Sequence, residues 1–171
     1  MSLDNATAKQ ILLEMQNHYG SPNTALHWKS PYQLLVAVML SAQCTDDRVN
    51  QITAELFRDH PTVEAVADLS ENEIAQQIRS AGLWRAKAKN IKATSVLLLA
   101  EFGGQVPMTR KDLMSLPGVG RKSANLVLAN AFGIPAMAVD THVFRTARRL
   151  GFSQGKTPDQ VEADLTKMIP K

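Results

Sequence analysis

Residues 116–124 read LPGVGRKSA, and this short stretch decides the fold. Gly118 and Gly120, separated by one residue, let the backbone turn tightly and leave its N–H groups uncovered. These groups then lie at the start of the next helix, where the helix dipole also favours an anion. Val119 can fill the space between two helices, and Arg121 adds a cation beside the turn. The stretch predicts a helical hairpin that clamps a phosphate, although an ordinary turn between helices also favours glycine.

The remainder of the chain is helical in its pattern. Apolar residues recur at spacings of three and four, and sustained two-residue alternation is absent. Helix starts are marked by Ser30 before a proline, by the capping box that begins at Ser70, and by Thr157 before a proline. We expect helices over 31–43, 46–60, 71–82 and 85–102, a helical hairpin over about 110–132 and a last helix from 158. The fold class is therefore predicted to be all-α.

Composition limits the class of protein. The chain has 171 residues, of which 44% are hydrophobic and 20% charged, which is typical of a globular domain rather than a disordered one. Its longest apolar run, 34–40, is shorter than the ~20 residues of a membrane span, and no signal peptide is recognisable at the start. The single cysteine, Cys44, excludes an internal disulfide and a cysteine-caged metal. We expect a cytoplasmic monomer without membrane attachment.

Charge is distributed unevenly along the chain. Residues 84–111 carry six Lys or Arg against one Asp or Glu, and residues 121–149 carry five against one. Residues 45–83 are acidic, with eight carboxylates against three cations. The two basic segments suggest one positive surface that binds a phosphate backbone. On charge alone, a solvated helix face is the more ordinary interpretation.

Longer stretches carry a specific resemblance. LPGVGRKSANLVL at 116–128, followed by VDTHVFR at 139–145, resembles the endonuclease III family of helix-hairpin-helix DNA glycosylases. LLVAVMLSAQCTDDRVN at 34–50 and AGLWRAKAKNI at 81–91 are further landmarks in family order. The resemblance implies a helix-hairpin-helix glycosylase fold. Its expected parts are a helical core domain over 22–133 and a discontinuous second lobe over 1–21 and 134–171.

The resemblance also implies the chemistry. Members excise oxidised pyrimidines from double-stranded DNA and then cleave the strand at the abasic sugar. Lys122 matches the family nucleophile, whose amine attacks C1′ of the sugar and forms a Schiff base. Only a neutral amine attacks, and a helix N-terminus, the neighbouring Arg121 and partial desolvation all favour the neutral form. Without the resemblance, a lysine that contacts phosphate is the more ordinary interpretation.

Asp140 matches the essential aspartate of the family, which stabilises positive charge on the sugar and assists proton transfer. A helix from Arg121 to about residue 132 runs roughly 17 Å away from Lys122. Residues 133–139 can return about 20 Å when extended, so Asp140 can lie beside the hairpin. Asp140 could also cap the helix that begins at Thr141.

Four further residues are candidate DNA contacts. Gln43 matches a family residue that enters the gap left by an extruded nucleotide, and Leu83 matches an apolar wedge on the opposite strand. The ordinary alternatives are a glutamine at a helix end and a buried leucine. Lys87 and Lys89, in the first basic segment, are expected to contact the backbone.

The family usually continues into a C-terminal loop whose four cysteines hold a [4Fe–4S] cluster. This sequence ends at Lys171 without such cysteines, and Cys44 lies in a predicted helical segment far from that region. We therefore expect no metal and no cluster in this chain. We favour a truncated family member, and a natural relative without the cluster is the alternative.

Two other functions remain open at the level of sequence. An adenine-mispair glycosylase shares the fold but generally lacks the nucleophilic lysine, so Lys122 argues against it. A non-catalytic helix-hairpin-helix module that binds DNA needs only the hairpin, and Asp140 would then be incidental.

Overall fold

The computed structural model describes residues 3–20 and 23–169, which contain helices and no strand. This confirms the predicted all-α fold class. The helices in chain order are α1 (Asn5–Tyr19), α2 (Pro31–Ser41), α3 (Asp46–Asp59), α4 (Val63–Asp68), α5 (Glu71–Gln77), α6 (Trp84–Phe102), α7 (Arg110–Ser115), α8 (Arg121–Phe132), α9 (Thr141–Arg149) and α10 (Pro158–Met168).

Side-chain caps define where helices begin. The Ser30 hydroxyl accepts the Gln33 N–H at 3.3 Å, and Thr157 caps α10 in the same way. At Ser70 the complete capping box is present, because its hydroxyl accepts the Glu73 N–H while Glu73 accepts the Ser70 N–H. The helix starts expected at these three positions are therefore confirmed.

Two predicted helix ends were wrong. Helix α2 ends at Ser41 instead of residue 43, and α5 ends at Gln77 instead of residue 82. The residues that follow each helix form turns, and Gln43 and Leu83 adopt positive φ there.

The described chain divides into two compact units. We call Thr24–Ile134, which contains α2 to α8, the core unit. The described residues of Met1–Asn23 and Pro135–Lys171, which contain α1, α9 and α10, form the terminal unit.

Helix α2 is the centre of the core unit. Every residue from Tyr32 to Leu40 is buried. Helices α3, α6 and α8 pack against α2, while α4 and α5 pack on α6 and α7 packs on α8. A helix surrounded in this way must be apolar on all sides, which explains the unbroken apolar run at 34–40.

The terminal unit has a small apolar core of its own. Helices α9 and α10 pack against each other. The buried residues of this core are Ala8, Val139, Ala147, Phe152, Val161 and Leu165. Throughout the described ranges, we find no helix that combines the length and the apolar character needed to cross a membrane.

Candidate functional site

The predicted hairpin lies between α7 and α8. The Val119 N–H donates to the Leu116 carbonyl at 3.1 Å and closes the turn, and the Val119 side chain is buried. Gly120 is the N-cap of α8 and supplies no side chain to its first N–H groups. A Cβ added at Gly120 would meet nothing within 4 Å, so there is room directly beside the N-cap of α8. An accessible helix N-terminus is suited to an anion such as a phosphate.

Helix α6 holds the hairpin in position. The Thr94 hydroxyl donates to the Pro117 carbonyl at 3.0 Å. Gly118 has φ +79°, and a Cβ added there would lie 2.6 Å from Nδ2 of Asn90. Glycine is therefore required at position 118 for two reasons. The backbone there is left-handed, and α6 approaches too closely to leave room for a side chain.

Lys122 is the second residue of α8 and its side chain is exposed, while Arg121 is half-buried. The lysine thus lies at the N-terminal end of the helix that follows the hairpin, as its position in the motif predicts. The partial desolvation expected for this amine is not present, because the side chain is exposed.

Asp140 lies in the terminal unit and is the N-cap of α9. Its Oδ1 accepts the His142 N–H at 3.0 Å and the Val143 N–H at 2.8 Å. The side chain is half-buried. The capping role weighed from the sequence is therefore present, and it fixes the carboxylate against the helix start.

Gln43 and Leu83 share an unusual backbone. With φ of 55° and 58°, they are the only non-glycine residues with positive φ in the described ranges. Such a conformation costs about 1 kcal/mol or more for an L-residue. A Cβ added at Gly82 would lie 3.0 Å from the Gln43 carbonyl oxygen, so the two turns meet backbone to backbone.

The structure therefore brings together the two residues assigned to the disrupted base pair. Leu83 is 61% exposed, and Gln43 is exposed two residues beyond the end of α2. The ordinary alternative of a buried leucine therefore does not describe Leu83, whereas Gln43 does lie at the end of a helix, directly after the C-cap Ala42.

The DNA-backbone contact expected for Lys87 is wrong, because the side chain is buried. Its side chain is only 6% exposed, and its Nζ donates to the Leu40 carbonyl at 2.8 Å and to the Ala42 carbonyl at 2.6 Å. Burial lowers the pKa of this amine from its ordinary value. Because the ammonium faces the end of α2, the side chain is not available on the surface as the phosphate contact that the sequence suggested.

A signal for this placement exists in the sequence but was missed. Lys87 stands four residues before Ile91 and eleven before Leu98, which puts it on the buried stripe of α6. The basic surroundings of Lys87 favoured a surface role instead.

The other cations of 84–92 differ among themselves. Arg85 and Lys89 are exposed, and the guanidinium of Arg85 lies 4.0 Å above the Trp84 ring. Lys92 is half-buried and donates to the Ala67 carbonyl near the end of α4. Only Arg85 and Lys89 of this segment remain exposed cations, and Lys89 stays a predicted DNA contact.

Known proteins match the chain over most of its length. The family model for an HhH-GPD superfamily base excision DNA repair protein matches residues 36–171. Endonuclease III of Synechocystis sp. is 47% identical over 165 residues, which are 96% of this chain and 75% of that protein. Endonuclease III of Escherichia coli (strain K12) is 44% identical over 168 residues, 98% of this chain and 80% of that protein. The chain belongs to the endonuclease III family.

A solved structure agrees with this membership. The structure of a trapped endonuclease III–DNA covalent intermediate is 44% identical and superposes with a TM-score of 0.93, covering 98% of this chain and 79% of that one. The family and the helix-hairpin-helix fold expected from the motifs are thus confirmed. The chain is a base excision repair enzyme, a DNA glycosylase with AP lyase activity.

The iron–sulfur cluster of the family does not fit the side chains of this chain. A [4Fe–4S] cluster needs four cysteine thiolates, and Cys44 is the single cysteine of the sequence. Cys44 was expected in a helical segment. It lies instead in the turn after α2, where it is half-buried. Across 3–20 and 23–169, His, Cys, Asp and Glu do not gather in any group of three that could hold a metal ion.

Proposed function

We propose that this enzyme removes oxidised pyrimidines from double-stranded DNA and cleaves the strand at the resulting abasic site by β-elimination. The observation that carries the proposal is the exposed Lys122 at the N-terminus of α8, directly after the LPGVG hairpin. Further support comes from a 44% identical relative, which was trapped as a covalent intermediate with DNA.

In the proposed reaction, Nζ of Lys122 attacks C1′ of the damaged nucleotide. The bond from Nζ to C1′ forms while the bond from C1′ to the base breaks, and the base leaves with the electron pair and takes up a proton. Opening of the sugar ring gives the Schiff base. Loss of a C2′ proton then breaks the bond from C3′ to its oxygen and expels the 3′ phosphate.

Asp140 is assigned two tasks in this proposal. Its carboxylate stabilises the positive charge that develops on the sugar, and it assists proton transfer. The hydrogen bonds from the N–H groups of His142 and Val143 support this assignment because they hold the carboxylate in one orientation.

The DNA contacts follow from the exposed groups of the core unit. The N–H groups at Gly118 and Gly120, with the cation of Arg121, bind a backbone phosphate. Val119 contributes by closing the hairpin, because its N–H donates to the Leu116 carbonyl and its side chain is buried. Lys89 adds a second backbone contact. An extruded nucleotide leaves a hole and an unpaired partner, which Gln43 and Leu83 fill with an amide and an apolar side chain.

We further propose that the enzyme acts as a monomer in the cytoplasm and that this chain holds no iron–sulfur cluster. The cluster would require cysteines that the 171 residues lack.

Borohydride trapping on a set of DNA duplexes tests the proposal. Covalent adducts are expected on duplexes that contain an abasic site or an oxidised pyrimidine, since only an amine nucleophile leaves a reducible Schiff base. Adenine release from an A·G mismatch without any adduct would instead indicate an adenine-mispair glycosylase. Binding without base release or adduct would indicate a non-catalytic DNA-binding module.

A further inference from the structure

We propose that Lys87 is a positioning residue that fixes the Gln43 turn for insertion into the gap left by an extruded nucleotide, an inference that rests on the function proposed for Gln43.

The contacts at the end of α2 define this role. The last carbonyls of a helix have no partner inside the helix. Here the Ser41 carbonyl accepts the Cys44 N–H at 3.1 Å, while Nζ of Lys87 binds the Leu40 and Ala42 carbonyls on either side. The residue that follows these anchored carbonyls is Gln43.

The chemistry of the anchor suits its place. The C-terminal end of a helix is the negative end of its dipole, so a cation there is favoured. Charge-assisted hydrogen bonds are stronger than neutral ones. Burial lowers the pKa of Lys87, which is consistent with an amine enclosed among backbone groups rather than exposed to solvent.

The anchor matters because Gln43 is strained. A non-glycine residue persists at φ 55° only when its surroundings hold it there. Two contacts do so from the region of α6: the Lys87 ammonium on one side, and the Gly82 backbone, whose added Cβ would lie 3.0 Å from the Gln43 carbonyl oxygen. Helix α6 therefore presents Leu83 and holds the Gln43 turn at a fixed distance from it.

A turn held in advance reduces the conformational freedom lost when the side chain enters DNA. The gain applies to base extrusion and is smaller for a site that has already lost its base. The ratio of excision from a lesion-containing duplex to cleavage of a preformed abasic site therefore reports on Lys87, whereas a general loss of folded protein lowers both rates together.

The experiment measures this ratio under single-turnover conditions with the complete 171-residue chain. Lys87→Met is compared with Lys92→Met, a matched control on the same helix whose ammonium binds the Ala67 carbonyl, remote from Gln43 in sequence. We expect Lys87→Met to lower the ratio about tenfold, which corresponds to about 1.4 kcal/mol, and Lys92→Met to leave it unchanged.

Gln43→Ala links the effect to its target. On its own it should lower the ratio. Adding Lys87→Met to Gln43→Ala should lower it no further, because both changes remove the same insertion of Gln43 into the gap. A ratio unchanged by Lys87→Met, or lowered equally by Lys92→Met, would overturn the inference and leave Gln43 in place. A ratio unchanged by Gln43→Ala would overturn both the role of Gln43 and the inference.

If Lys87→Met does not fold by circular dichroism, Lys87→Gln replaces it, since the amide group can still donate hydrogen bonds but lacks the charge and the reach of the ammonium. The ratio should again fall, and an unchanged ratio in folded Lys87→Gln overturns the inference.

Discussion

Lys122 and Asp140 each stand where a helix begins, and this position suits their proposed tasks differently. Lys122 is the second residue of α8, directly after the hairpin, and its side chain is exposed. Asp140 accepts two N–H groups at the start of α9, which stabilise its charged form.

Replacement of Lys122 by alanine tests its role as nucleophile. Lys122→Ala should abolish the borohydride-trapped adduct and strand cleavage, because no amine remains to form the Schiff base. DNA binding should largely remain, since the hairpin backbone and the other cations are unchanged. If Lys122 only contacts phosphate, binding would weaken while chemistry survived at saturating protein. A trapped adduct with Lys122→Ala would contradict the assignment.

Asp140 can be tested by separating its cap from its charge. Asparagine is also a good N-cap, so Asp140→Asn should keep thermal stability while base excision slows by about 10²–10⁴-fold. Asp140→Ala should show the same loss of rate and, in addition, lose about 1 kcal/mol of unfolding free energy. Urea unfolding and single-turnover excision measure the two effects. Full activity of Asp140→Asn would leave Asp140 as a cap alone.

At the scale of elements, α6 connects the candidate DNA contacts of the core unit. Its N-cap is Leu83, Lys87 binds the end of α2 before Gln43, and Thr94 binds the hairpin carbonyl of Pro117. One helix thus sets the relative placement of Leu83, the Gln43 turn and the hairpin.

The two hairpin glycines should respond differently to alanine. Gly118→Ala combines a left-handed backbone with a Cβ only 2.6 Å from Asn90, so it should lose about 2 kcal/mol of unfolding free energy. Gly120→Ala is its control, because φ is −90° there and the added Cβ has open space. We expect a loss of about 0.5 kcal/mol or less in urea unfolding. Equal losses would contradict the packing of α6 on the hairpin.

At the scale of the whole molecule, the net charge of +3 results from 19 Lys and Arg side chains against 16 Asp and Glu side chains. Some of these cations are buried and cannot contact DNA. In 84–92, Lys87 and Lys92 bind backbone carbonyls, and Arg85 and Lys89 stay exposed.

This distribution predicts how salt affects binding. Affinity should fall steeply with salt, and Lys89→Met should reduce the log–log slope by about 0.9 because one phosphate contact is lost. Lys87→Met is the matched control, and the slope should not change because this amine contacts protein carbonyls. Fluorescence anisotropy on an abasic-site duplex across salt concentrations measures both. A flat dependence in the unaltered protein would contradict phosphate-dominated binding.

The cysteine content makes a further prediction for the molecule. Protein made from these 171 residues and purified without oxygen should contain no stoichiometric iron or acid-labile sulfide, because one thiol cannot hold a four-iron cluster. Colorimetric iron and sulfide assays give the answer, and stoichiometric iron would refute the expectation.

The catalytic assignments have a different basis from the fold. The roles of Lys122 and Asp140 come from the family motif, and chemistry at these positions stays a prediction. The cap at Asp140 could be predicted from residue type, as could the turn at Gly118, whose positive φ reflects the Gly-x-Gly pattern. The division into two units could not be read from periodicity, since helices of both units have the same repeat.

The sequence by itself determined the features that depend on near neighbours. The starts of α2, α5 and α10 were predictable because each cap joins residues three apart. The end of α2, the meeting of Gln43 and Gly82, and the carbonyls that Lys87 binds depend on the packed fold. The reason is distance along the chain: Lys87 binds carbonyls 47 and 45 residues away, and Lys92 binds one 25 residues away. Local patterns do not encode such partners, because they exist only once the helices have packed.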